Sequence, residues 1–184
     1  MYYKNQVISH YASIWGEEYK SLTWHEGPFR ELGEYFSVLE FPPQESRTMW
    51  TYSTCCMSHP DDPNPVEFHL FSPDKDESLV ELLTALAHFH AFGERLDLWH
   101  TVNFGKSWKP KSLCSYGLIS LPYLDGSKLE LLKIDNEKIT HFYWLIPVTE
   151  AEIHFKKEFG VEKLEVIFEK ESFNYIDPFR KSVI

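Results

Sequence analysis

The sequence predicts an α+β fold: a single domain, residues 1–184, built on a largely antiparallel mixed sheet with helices packed against it. Three observations carry that reading. Helical and strand patterns follow one another as helix, strands, helix, strands, helix, an order that suits helices packed on a sheet. The apolar run at residues 142–146 has strand length and leads through Pro147 into a well-signalled helix start. A chain of 184 residues, 43% hydrophobic and 16% aromatic, can bury a core without disulfides or a structural metal.

The elements follow in order. Val7, Tyr11, Ile14 and Trp15 recur at helical spacing and Gly16 follows as a stop, so residues 4–15 read as a short amphipathic helix within a lead-in that extends to residue 34. Residues 35–41 and 47–53 alternate β-branched or aromatic with polar side chains, and Pro42-Pro43 breaks them into two neighbouring strands. The segment 59–65 (HPDDPNP) holds three prolines in seven positions and must be a loop. VEFHLFS after it returns to alternation, with Val66, Phe68 and Leu70 on one face and Glu67, His69 and Phe71 on the other.

Ser78 and Glu81 have capping-box spacing, and Leu79, Leu82, Leu83, Leu86, Phe89 and Phe92 trace one helical face that ends at Gly93. HTVNF and GLISLP read as strands around a basic, flexible insert at residues 106–111, while LELLKI and ITHFYWLIPV pair around the turn Asp135-Asn136. Pro147 should end the last strand, with Thr149 capping the next helix and Glu152 reaching back to the cap. Leu164, Ile167 and Phe168 form a final short helix after Gly160.

Charge and motifs exclude several functions. The formal net charge of −10 opposes contact with phosphate backbones, so nucleic acid is not an expected partner. A negative surface would steer basic proteins toward the chain, although ordinary cytosolic proteins are often acidic too. The N-terminal residues lack the basic and apolar regions of a signal peptide, and no apolar run reaches the roughly 20 residues of a membrane span, which points to the cytoplasm and to no membrane partner. Cys55, Cys56 and Cys114 are odd in number and two are adjacent, so no disulfide framework is indicated.

Catalytic constellations are equally absent from the sequence. His88 and His90, two apart on a helix, point roughly 200° from each other and cannot face one metal ion. HExxH, CxxC, a phosphate-binding glycine loop and a nucleophile elbow are missing, so no catalytic residue, metal or cofactor is expected. Cys55 or Cys56 could serve as a nucleophile with a distant histidine, but nothing local supports that over a plain buried thiol. Trp108 is different from the other tryptophans because it lies among lysines in an expected loop, where exposure suggests a binding anchor.

Taken together, VEFHLFSP (66–73), LLTALAHFH (82–90), HTVNFG (100–105), LISLPYLDG (118–126) and WLIPVTEAEIHFKKEFGVEKLE (144–165) resemble, in order, the suppressor-of-fused-like (SUFU) family. The resemblance spans residues 35–184, and NYIDPFRKSVI looks like the family's close. It implies the compact bacterial form of the domain, without the second domain that animal members use with the first to clamp a transcription-factor peptide. Bacterial members are associated with polymorphic toxin systems, so the resemblance implies a protein-binding domain of immunity type that neutralises a cognate toxin. The alternatives are a peptide-binding adaptor using sheet-edge pairing and an enzyme of unknown type. Family contact residues do not carry over, because the peptide-contacting region matches only loosely around residues 99–121, and Cys55-Cys56 stands where relatives tend to have a glycine. Candidate partner contacts are therefore Trp108 and the acidic loop residues Asp61, Asp62 and Asp125, for which solvation of a loop is the plainer reading.

Overall fold

The computed structural model describes residues 2–135 and 138–184. In chain order its elements are α1 (Tyr2–Trp15), β1 (Lys20–Leu22), a 3-10 helix (Gly27–Leu32), β2 (Ser37–Phe41), β3 (Trp50–Cys55), β4 (Val66–Ser72), α2 (Ser78–Phe92), β5 (Thr101–Asn103), β6 (Cys114–Ser120), α3 (Ser127–Glu130), β7 (Leu131–Lys133), β8 (Ile139–Thr149), α4 (Glu150–Phe159) and α5 (Val161–Lys170). The α+β class and the mixed, mostly antiparallel sheet are as the sequence indicates. The chain forms two compact units, one of Met1–Asp97 with Leu121–Trp144 and one of Leu98–Ser120 with Leu145–Ile184.

In the first unit the strand order is β1-β2-β3-β4-β8, antiparallel except for the parallel β4–β8 pair, and β7 also pairs with β8. The registers Leu39↔Ser53 and Ser53↔His69 place Leu39, Phe41, Cys55, His69 and Phe142 on the face that α1 covers. Tyr3, Val7, Tyr11 and Trp15 of α1 fill that core, and Gly16 (φ 91) ends the helix with its N–H on the Ala12 carbonyl. On α2, Leu79, Leu82, Leu83 and Leu86 are buried, and the helix packs against β2 and β3. Helices thus cover both faces, and β2 and β4 are buried at every position. Alternation in VEFHLFS therefore does not mark a solvent face, since Glu67 and His69 are wholly buried.

One sequence expectation changes here. The Ser78/Glu81 capping box does not form: Ser78 is already helical, and its N–H and hydroxyl both donate to Asp76 Oδ1 at 2.9 and 2.7 Å. Asp76 thus leads into the helix through an Asx turn, and its carbonyl accepts from Leu79 N–H at 3.2 Å. The turn expected at Asp135-Asn136 lies partly outside the described residues, although Lys138 N–H donates to Asp135 Oδ1 at 2.9 Å.

The second unit orders its strands β8-β6-β5, with β5 and β6 antiparallel. Pro147 does not end β8, which runs on to Thr149. Its missing N–H leaves only a carbonyl to satisfy, and Arg180 Nη2 donates to it at 3.1 Å. The Thr149–Glu152 capping box is present as expected, with Thr149 N–H on Glu152 Oε2 at 2.8 Å and Glu152 N–H on Thr149 Oγ1 at 3.3 Å. Glu152 also receives Arg180 in a buried pair at 2.6 and 2.7 Å. Burial alone would push its carboxyl up, but those contacts hold it below the ordinary carboxylate range. The insert at residues 106–111 is packed rather than loose, with Ser107 Oγ on the Ser112 carbonyl at 2.8 Å and Ser112 N–H on the Lys109 carbonyl at 3.1 Å.

Candidate functional site

Within the first unit, the β3–β4 pairing runs to Ser53↔His69, and side chains take over from the backbone beyond it. Thr54 Oγ1 accepts from Phe68 N–H at 2.8 Å, and Ser58 Oγ accepts from Val66 N–H at 2.8 Å while donating to the Val66 carbonyl at 3.0 Å. Between them Cys56 adopts a left-handed backbone (φ 65), a conformation that favours glycine. Glu67 fixes this turn from beneath, accepting from Met57 N–H at 3.1 Å and from the Thr54 hydroxyl at 2.6 Å. Complete burial, reinforced by the neighbouring Cys56, pushes the Glu67 carboxyl up to about 8, so it is largely protonated at neutral pH.

This turn forms one wall of a cleft of about 540 Å³. The other walls come from Tyr3 and Lys4 of α1, Glu31 and Leu32 of the 3-10 helix, Tyr35, and residues at and beyond the end of α2, among them His90, Phe92 and Arg95. Tyr35 is 70% exposed and Phe92 56% exposed at the rim, and Phe89 is exposed on the turn before. The apolar stripe of α2 that is buried at Leu79 and Leu83 thus emerges into solvent in its last turn. Large aromatics exposed beside a concavity mark an interaction surface more often than chance solvation does.

Charge around the cleft is mostly matched internally. Asp62 takes the Arg95 guanidinium in a two-point pair at 2.7 and 2.8 Å, and Asp61 pairs with Lys138 at 2.5 Å. Both carboxyls are held below the ordinary range, first of all by those hydrogen bonds. Ser58, His90 and Asp62 lie together as a hydrolytic triad would, but the hydrogen bonds run the wrong way. His90 Nδ1 accepts from Leu96 N–H at 3.0 Å, so Nε2 carries the proton and faces Ser58 Oγ at 3.2 Å as a donor. Burial, with Arg95 beside it, pushes His90 down to about 4, and the Ser58 proton is committed to Val66. The arrangement holds a loop in place and supplies no base for a nucleophile.

The predicted contact residues separate. Asp62 lines the cleft, and Asp61 stands exposed next to it. Trp108 is not an exposed anchor: it is 3% exposed in the second unit, its indole N–H on Ser112 Oγ at 3.0 Å and its backbone N–H on the Cys114 carbonyl at 3.0 Å. The turn closes around the indole, so the flanking lysines misled the reading. Asp125 is not a surface contact either. Its side chain is buried under Trp15, whose indole N–H donates to Oδ1 at 2.9 Å, and it pairs through the same oxygen with Arg47, which lies over the Trp15 and Phe71 rings. Burial pushes the Asp125 carboxyl up, and Arg47 and Trp15 oppose the shift. Tyr35, Phe92 and Cys56 were not singled out as contacts. The only signal available was that the α2 stripe runs on to Phe89 and Phe92.

Among the described residues no three histidine, cysteine or acidic side chains converge to hold a metal ion, and no helix is long and apolar enough to cross a membrane.

Residues 33–181 match the family model described as suppressor of fused protein (SUFU). The chain is similar to the crystal structure of a SUFU homologue from Neisseria gonorrhoeae FA 1090, with 31% identity, a TM-score of 0.85, and 99% of this chain and 97% of that one covered. It is also similar in fold to the protein of the Sufu-Fu complex crystal structure (13% identity, TM-score 0.70, 98% and 92% covered). For Drosophila Suppressor of Fused the values are 13% and 0.68, with 96% of this chain covering 50% of that protein. No curated protein matches the sequence.

Proposed function

This chain belongs to the suppressor of fused family, and on that footing we propose that it is a non-catalytic protein-binding domain whose cleft in the first unit receives a protein partner. The observation that carries this reading is the pair of exposed aromatics, Tyr35 and Phe92, at the mouth of the 540 Å³ cleft. Support comes from the related fold seen in the Sufu-Fu complex and from the Ser58–His90 geometry, which does not assemble a nucleophile with its base.

The partner we propose is a basic toxin domain, with the chain acting in the cytoplasm as an immunity protein that occludes it. The net charge of −10 suits such a partner, because opposite charge raises the association rate without any chemistry. Asp61 keeps an exposed carboxylate beside the cleft and is a candidate for the charged rim of that contact. Pairing of a peptide with a sheet edge is a weaker alternative, since β1 and β5 offer only the short spans Lys20–Leu22 and Thr101–Asn103.

The test is capture of partners from the host lysate on wild-type bait and on a Tyr35→Ser/Phe92→Ser bait, washed at low and high salt. We expect one basic partner on the wild type and at least about tenfold less on the variant, with unchanged circular dichroism and melting temperature. Equal retention on both baits would place the partner elsewhere on the molecule and end the cleft reading.

A further inference from the structure

We propose that an internal water molecule is bound between the His69 imidazole and the Asp125 carboxylate, and that it ties the segment carrying Asp125 to the central strand β4. The site lies within the first unit, on the sheet face that α1 covers. His69 is wholly buried, and among the described residues neither of its ring nitrogens has a hydrogen-bond partner. Asp125 Oδ2 and Arg47 Nη1 are buried and without a partner as well. A buried polar atom left unpaired costs more than an average hydrogen bond contributes, so four of them on three neighbouring side chains point to a shared partner.

Geometry fixes where that partner sits. His69 Nε2 stands 4.0 Å from Asp125 Oδ2. That is too far for a hydrogen bond but within the span that one water covers with two bonds of about 2.8 Å. The imidazole is flanked by aromatic rings, Trp15 at 5.2 Å and Phe71 at 5.3 Å between centroids. Neither ring supplies the missing partner, since the Trp15 indole N–H is already given to Asp125 Oδ1. Arg47 lies over the same two rings and binds Oδ1 through Nη2, which leaves Oδ2 to face His69.

Charge decides what the ligand is. A cation at this point would meet the Arg47 guanidinium, an anion would meet the Asp125 carboxylate, and the two already neutralise each other. The ligand must therefore be small, neutral and able both to donate and to accept, which describes water. Burial, with Arg47 beside it, pushes His69 down to about 3, so the ring is neutral and one nitrogen carries a hydrogen. The water accepts from Nε2–H and donates to Oδ2, an atom that can only accept. Asp125 is held directly by Trp15 of α1 and by Arg47 of the segment between β2 and β3, but among the described hydrogen bonds its side chain has none to a strand. The water supplies that connection, so α1, the Arg47 segment, β4 and the LPYLDG segment meet at one carboxylate.

The experiment is a crystal structure of the full chain at a resolution that shows ordered waters, paired with magnetic relaxation dispersion of the solvent, which counts long-lived internal waters. A density peak within about 2.6–3.2 Å of both His69 Nε2 and Asp125 Oδ2 is expected. His69→Phe keeps a ring between Trp15 and Phe71 but offers no hydrogen-bonding group, so it should lose one long-lived water relative to wild type. The wild-type density decides even if that variant does not fold. The proposal falls if His69 Nε2 and Asp125 Oδ2 are joined directly, if the space between them holds no density, or if folded His69→Phe keeps the full number of long-lived waters.

Discussion

Replacing Glu67 by glutamine should change how stability depends on pH. The Glu67 carboxyl lies at about 8 in the folded chain against 4.5 as its ordinary value. A folded value above the unfolded one means that its contribution is full below about pH 4.5 and is lost as pH rises toward 8. Between about pH 6.5 and about pH 8.5 the unfolded chain has already released this proton, while the folded chain gives it up mostly near the top of the interval. At about 1.4 kcal/mol per unit the wild type then loses about 2 kcal/mol from this group alone. Glutamine keeps an oxygen for the Met57 N–H, now 3.1 Å from Oε1, and has nothing to titrate. His69 and His90, pushed down to about 3 and about 4 by burial foremost, act in the opposite sense, so their contribution is full above about pH 6.5 and is lost as pH falls. Wild-type stability should therefore peak near pH 6.5. Urea unfolding of both proteins at several pH values measures this. Glu67→Gln should lose about 2 kcal/mol less than wild type across the alkaline interval, and parallel profiles would refute the assignment of a neutral buried Glu67.

Two further perturbations bear on the second unit. Arg180→Ala strands Glu152 as a buried charge without its 2.6 and 2.7 Å partner and should cost about 3–5 kcal/mol in denaturant unfolding. Adding Glu152→Gln should recover part of that loss, and a cost under about 1 kcal/mol would show the pair to be incidental. Gly117→Ala places a methyl group 2.6 Å from Leu145 Cδ1 and 2.8 Å from the Phe104 ring. It should lower stability by about 1–3 kcal/mol, read as a fall in melting temperature, and an unchanged melting temperature would mean that Leu145 and Phe104 have room to move.

The sequence was most legible where local signals carry the physics. α1, the apolar stripe of α2 and the Thr149–Glu152 box each rest on spacing within one or two turns, and each is found. It was least legible where a second layer decides. Alternation puts Glu67 and His69 on the face opposite Val66, Phe68 and Leu70 but does not say whether that face is covered, and α1 buries it. Trp108 and Asp125 were misjudged for a related reason. Polar or turn-forming neighbours indicate a loop but not whether the loop folds back over its own side chain, as at Ser112, or is held by distant groups such as Trp15 and Arg47. The cleft draws on segments from Tyr3 to Arg95, so no window of sequence contains it.

The pair between Glu152 and Arg180 also has a temporal meaning. The two residues are 28 positions apart, and Glu152 completes the cap of α4 while Arg180 satisfies the Pro147 carbonyl. During synthesis from the N-terminus, Glu152 is present before its cation exists. Until Arg180 arrives, the carboxylate must stay hydrated, and its burial is deferred. The start of α4, the end of β8 and the residues around Arg180 therefore lock in one step, once Arg180 is in place. A released chain that lacks Arg180 and the residues after it should exchange the amide hydrogens of the 147–152 junction as freely as a loop, and restoring those residues should protect those amides together.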